Sequence, residues 1–146
     1  MLDYTDVMPT NKYVVERKNE NNKFEVAFYD LSSIEQHSRT EQDGTIHTFY
    51  SVKKYLIELV NINHIDDNYN NLLALARNKE IEKLSSEIRA KRDKLLADTD
   101  WTQVNDNALS NTKKEAYRVY RQALRDITEQ ANFPYNVVFP TFVYND

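Results

Sequence analysis

The apolar positions divide the chain into two stretches with different periods. Up to about Ile65 they come in short runs rich in Tyr, Val and Phe, the composition of a pleated, half-buried surface. Lys12 to Arg17 and Lys23 to Tyr29 are two such runs, and the polar Lys18-Asn19-Glu20-Asn21-Asn22 between them suits a hairpin loop. A third run, Thr45 to Val52, follows the turn signal Asp43-Gly44. Tyr55 to Ile62 fits two templates. Tyr55, Ile57 and Leu59 alternate as in a strand, whereas Val52, Tyr55, Leu56, Leu59 and Val60 mark one helical face; of the two, strand is favoured.

Beyond Asp66 the period lengthens. Leu73, Ala74, Arg77, Ile81, Leu84, Ile88 and Leu95 step by three and four, predicting a helix capped by Asp66 or Asp67 and running to about Ala97, with Arg77 and Lys91 as polar interruptions. A second helix is expected from the natural N-cap Ser110 to about Gln130, its apolar face made of Ala116, Val119, Tyr120, Ala123, Leu124 and Ile127. The connection from Asp98 to Leu109 is short and polar, so the helices are expected to fold back antiparallel. Leu95 would then meet Val119 or Tyr120, and Ile88 would meet Ala123 or Leu124. At a rise of 1.5 Å per residue the first helix is about 46 Å long and the second about 30 Å. The early turns of the first helix therefore need another partner, either the β-rich segment or another chain.

Pro134 and Pro140 forbid helix in the tail from Phe133 to Asp146, into which Phe133, Tyr135, Val137, Val138, Phe139, Phe142, Val143 and Tyr144 crowd. Burying one such side chain is worth about 1.5–3 kcal/mol, so the tail is not expected to stay in water. It either packs along its own hairpin or is an extended strand donated to a partner. The fold class expected is α+β: a small antiparallel β-rich region over residues 1–65, an antiparallel helical hairpin over 66–131 and an extended aromatic tail over 132–146.

Composition narrows the chemistry. In 146 residues there is one glycine, Gly44, where an average chain would carry about ten. Phosphate-cradling loops and the nucleophile elbow need glycines that this chain lacks. The absence of cysteine excludes disulfides, thiolate metal sites and thiol nucleophiles. The net charge of −4 comes from outside the helical stretch, which is balanced, so neither half has the basic excess of a nonspecific nucleic-acid binder. No signal peptide is read at an N-terminus carrying Asp3 and Asp6, and Glu58 interrupts the longest apolar cluster, so no membrane association is expected.

Four constellations could carry chemistry. Asp98-Thr99-Asp100 with Asp106 fails as a calcium loop, because Gln103 stands where a sharp-turn Gly is needed and Leu109 where a bidentate Glu is needed. His37, Glu41, Asp43 and His47 are the one metal-like cluster, and they are read as ordinary loop residues; His64 receives no functional reading. Arg118, Arg121 and Arg125 with Tyr117 and Tyr120 could bind single-stranded nucleic acid, but Glu115, Asp126 and Glu129 lie in reach and favour a solvated or interface surface. Trp101, the one tryptophan, is read as a plug closing the hairpin, with an exposed binding anchor as its other role. No constellation supports an enzyme, and no cofactor is expected.

Four blocks, Arg92-Asp93-Lys94-Leu95-Leu96-Ala97-Asp98-Thr99-Asp100-Trp101-Thr102-Gln103, then Tyr120-Arg121-Gln122-Ala123-Leu124-Arg125-Asp126-Ile127, then Phe133-Pro134, then Val137-Val138-Phe139-Pro140, resemble the phage tail assembly chaperone-like family. The resemblance covers about Glu87 to Pro140. Val104-Asn105-Asp106-Asn107 replaces the usual proline-containing linker, Phe139 replaces the usual Trp, and the chain continues from Thr141. It implies a non-catalytic protein that binds a phage tail or tail-fibre protein during assembly in the host cytoplasm, or else a permanent structural subunit or adaptor of the virion. The partner-binding candidates are Trp101, Tyr117, Tyr120, Phe133, Phe139 and Phe142. A homo-oligomer through exchanged tails is a further association the tail would allow.

Overall fold

The computed structural model describes residues 1–144. The chain divides into two compact units, Met1–Glu80 and Ile81–Asp146. The first is built on a four-stranded antiparallel sheet of β1 (Leu2–Thr5), β2 (Tyr13–Lys18), β3 (Phe24–Thr40) and β4 (Ile46–Leu59), in the order β1-β4-β3-β2.

The polar stretch after β2 makes its turn as its composition implies. The Asn19 side-chain oxygen accepts from the Asn21 and Lys23 amides at 3.1 and 3.0 Å, and Asn22 adopts φ 62°. Asn tolerates that left-handed conformation better than most residues. The ambiguous segment at Tyr55 is strand, with Tyr55 and Ile57 buried and Leu56 between them 47% exposed. Two features differ from expectation. β1 is an additional strand, and β3 continues through Leu31 to Thr40, a polar segment without strand character of its own. Pairing with β4 holds it extended. At its midpoint β3 advances from Asp30 to Glu35 while β4 steps only from Lys53 to Ser51, a bulge that resets the register.

Helix α1 (Ile65–Ala97) begins two or three residues earlier than expected, with Asp66 and Asp67 in its first turn rather than at its cap. The His64 carbonyl accepts from the Asn68 amide at 3.2 Å. The β-rich segment is the partner that the early turns needed: Ile65, Leu73 and Ala76 form a buried cluster with Val26, Phe28, Tyr55 and Ile57. The packed face includes Ala76, whereas Ala74 is exposed. Arg77, read from sequence as an interruption, ion-pairs with Asp30 at the bulge and lies 5.5 Å over the Tyr55 ring. Tyr69 donates its hydroxyl to the Tyr29 carbonyl at 2.5 Å. A side chain that carries both an apolar stem and a charged fork can sit on a packing face when an acid waits at its tip.

The second unit holds the rest of α1, a 3-10 turn (Asp100–Gln103), helix α2 (Asn111–Arg125), a second 3-10 turn (Asp126–Glu129) and the tail. Ser110 caps α2 by accepting from the Lys113 amide at 3.3 Å. The second helix is thus short beside the first, its expected last turn tightened to 3-10. Its packed face also differs from the expected one. Leu124 and Ile127 are buried as foreseen, but Val119 is 56% exposed and Ala123 is exposed, so neither lies on an interhelical seam. Arg121 is buried in their place.

Candidate partner-binding surface

The surface rests on how α1 ends. The last carbonyls of a helix lack intrahelical partners, and here side chains supply them. Thr99 donates its hydroxyl to the Leu95 and Leu96 carbonyls, each at 3.0 Å. Arg121 reaches across from α2 and donates to the Leu96 carbonyl at 2.6 Å, to the Thr99 hydroxyl at 2.7 Å and to an Asp100 carboxylate oxygen at 2.7 Å. A cation at a helix C-terminus is also favoured by the helix dipole. Buried Thr102 donates to the Thr99 carbonyl at 2.7 Å, and Asn107 donates to the Thr102 carbonyl at 2.9 Å. These bonds hold the connection between the helices in one shape.

That connection presents Trp101. The ring is 53% exposed, so it does not close the hairpin as a plug. It meets Tyr117 edge-on, at 5.9 Å between centroids and 68° between planes. Tyr117 stacks on Phe142 at 4.2 Å and 16°, and Tyr120 meets Phe142 edge-on at 5.7 Å. Four of the six candidate residues therefore form one chain of touching rings, drawn from the connection, α2 and the tail. The two that remain lie elsewhere: Phe133 faces the Arg89 guanidinium at 5.4 Å and Phe139 faces the Lys91 ammonium at 4.2 Å. They fasten the tail to α1.

Of the two roles open to the tail, packing along its own hairpin is the one found through Tyr144; Asn145 and Asp146 lie outside the described residues. Pro134 is buried after a cis Phe133–Pro134 bond. The Gln130 side chain brackets Val138 like a neighbouring strand, accepting from its amide at 2.9 Å and donating to its carbonyl at 2.8 Å. Lys113 lies 5.2 Å from the Tyr144 ring.

The arginine stripe is not a continuous basic surface. Arg121 is buried, and Arg118 pairs with Glu115 at 2.6 Å. The Glu115 carboxyl is held below its ordinary range by its hydrogen bond from Arg118. The buried Arg121 was missed from sequence because hydrophobic periodicity assigns no inward place to a guanidinium. Its one signal was position, since it falls between Tyr117 and Leu124 on the same face.

The His37 group is spread over structure rather than gathered in a loop. His37 lies on β3 and His47 on β4. The His37 Nε2 is 2.7 Å from the Ser51 hydroxyl and its ring stacks on Phe49 at 5.2 Å. His47 is 3.8 Å from Asp6, Glu41 pairs with Arg39 at 2.6 Å, and Asp43 accepts from the Thr45 amide at 2.9 Å. Among the described residues, no group of three or more His, Cys, Asp or Glu is placed to hold a metal ion. No helix among them is long and apolar enough to cross a membrane.

Residues 85–142 match the family model described as phage tail assembly chaperone protein. The matched stretch takes in all six aromatic candidates and extends past Pro140 to include Phe142, so the similarity reaches the stacked tail. It supports a role in phage tail assembly. No curated protein matches, and no solved structure matches.

Proposed function

We propose that this chain is a non-catalytic phage tail-assembly protein that holds a tail or tail-fibre protein on the ring cluster of Trp101, Tyr117, Tyr120 and Phe142. The observation that carries the reading is the half-exposed Trp101, seated edge-on against Tyr117 within the stretch similar to tail assembly chaperones. Tryptophan and tyrosine dominate binding hot spots because they bring much area with few rotatable bonds. Arg121 and the Thr99–Asn107 bonds hold the rings in place before a partner arrives, which reduces the ordering cost of association. Phe133 and Phe139 act as fasteners of the tail rather than as contacts. The β-rich first unit docks a second component.

Co-expression with the tail and fibre proteins of the same phage tests this, comparing the parent chain with Trp101→Ala. Loss of co-purification, with a thermal midpoint close to the parent's, is the expected result, since a hot-spot truncation costs about 2 kcal/mol or more of binding. Undiminished co-purification of every component would overturn it. Quantifying the chain in purified particles then separates two forms of the role: fixed stoichiometry marks a permanent subunit, and absence marks an assembly chaperone.

A further inference from the structure

We infer that the outer edge of β3, from Glu35 to Thr40, pairs antiparallel with the same edge of a second copy of this chain. On that side β2 accompanies β3 only from Phe24 to Phe28, with one further bond from the Tyr29 amide to the Lys12 carbonyl. Among the described residues no strand pairs with the remainder. Its inner side is fully laddered to β4, from Glu35 opposite Ser51 to Thr40 opposite Ile46.

The direction of the free groups follows from the turn. The Glu41 amide donates to the Thr45 carbonyl at 2.8 Å, in register with the ladder. Backbone groups alternate sides along a strand, so those of Glu35, His37 and Arg39 face β4. Those of Gln36, Ser38 and Thr40 face outward. Such a row is a template for another strand, and sheets usually protect it with short edges, bulges, lysines or prolines. The edge strands β1 and β2 have such protection: β1 spans four residues, and β2 carries a register irregularity between Val15 and Arg17 and ends on Lys18. The β3 segment after its bulge contains neither proline nor lysine, and its residues are exposed apart from half-buried His37.

Charge chooses the register. With His37 opposite its own copy on a two-fold axis, Gln36 and Ser38 of opposite chains exchange backbone hydrogen bonds. Glu35 of each chain then lies directly across from Arg39 of the other, twice per pair. Moving the axis to Ser38 would set Glu35 against Glu41, and moving it to Gln36 would leave Arg39 opposite Ser33. Opposite charges directly across a ladder are stabilising and like charges destabilising. Arg39 pairs with Glu41, the residue that follows β3, both side chains being exposed, and such a pair is weak competition. The two sheets would join into one, independently of the ring cluster.

Sedimentation of the full chain over a concentration series tests the association, with a dimer as the expected result. Glu35→Arg should weaken the dimer about tenfold or more by setting arginine against arginine, and adding Arg39→Glu in the same chain should restore it. Because the chain has no cysteine, the register can be tested covalently. His37→Cys should cross-link to its own copy under mild oxidation, since facing residues of a non-hydrogen-bonded pair lie about 4.5 Å apart at Cα. Glu35→Cys should not, and the far-ultraviolet circular dichroism of each variant must match the parent's. A monomer at every concentration, a dimer indifferent to Glu35→Arg, a double variant no better than the single, or equal cross-linking at both cysteines would overturn the inference.

Discussion

Tyr117 and Phe142 stack with centroids 4.2 Å apart and planes 16° from parallel, which joins the C-terminal tail to α2 by direct ring contact. Stacked pairs are worth about 0.5–1.5 kcal/mol beyond the area they bury. A double-mutant cycle with Tyr117→Leu and Phe142→Leu in urea unfolding should give a coupling energy in that range. Additive effects would mean that the rings contribute through burial alone.

Ending the chain after Ala131 removes buried Pro134 and half-buried Phe133, Phe139 and Phe142 from the second unit. The expected outcome is a lower thermal midpoint with loss of helical signal, because side chains of this size contribute about 1.5–3 kcal/mol each when fully buried. Calorimetry of the truncated chain against the parent checks it. An unchanged transition would show the tail to be dispensable for folding.

Arg121 and Asp100 share an ion pair but stand in different surroundings, with side chains 7% and 67% exposed. Arg121→Met should cost about 2–4 kcal/mol, since it strips charged hydrogen bonds from the Leu96 carbonyl and the Thr99 hydroxyl as well as from the acid. Asp100→Asn should cost less than about 1 kcal/mol, as for other exposed acids in ion pairs. Equal losses in denaturant midpoint would place the stabilisation in the ion pair rather than in the capping of α1.

Asp30 gives the first unit a pH dependence. Burial pushes its carboxyl up, but the Ser32 hydroxyl bond, the Arg77 charge and hydrogen bond, and the Ser32 amide outweigh it and hold the group below its ordinary value of 3.8. A carboxyl depressed in the folded state contributes its stabilisation above the unfolded value and loses it as pH falls through the folded one. Stability should therefore decline as acid is added below the ordinary carboxylate range, and Arg77→Met should flatten that decline. Urea midpoints of both chains measured from neutral pH to pH about 2 decide it; parallel curves would remove Asp30 as the cause.

Local chemistry by itself determined where most elements lie. The Asn-rich turn before β3, the Asp43-Gly44 turn before β4, the Ser110 cap and the end of α1 at Ala97 all depend on a few adjacent residues, whose preferences act without knowledge of the rest of the chain. The aromatic density of the tail likewise marked a segment that had to be covered. Only the tertiary structure decided which way these elements turn and what they meet. Val119 and Ala123 give way to Arg121 because three acceptors at the end of α1, contributed from far back in the chain, accept from its Nη1 and Nη2. β3 runs on to Thr40 because β4 offers a ladder to residues with little strand preference of their own. Arg77 faces the sheet because a bulge sets Asp30 beneath it. The rings of Trp101, Tyr117, Tyr120 and Phe142 meet because the tail returns across α2. In each case the deciding energy comes from a partner distant in sequence, which hydrophobic periodicity along a single segment does not encode.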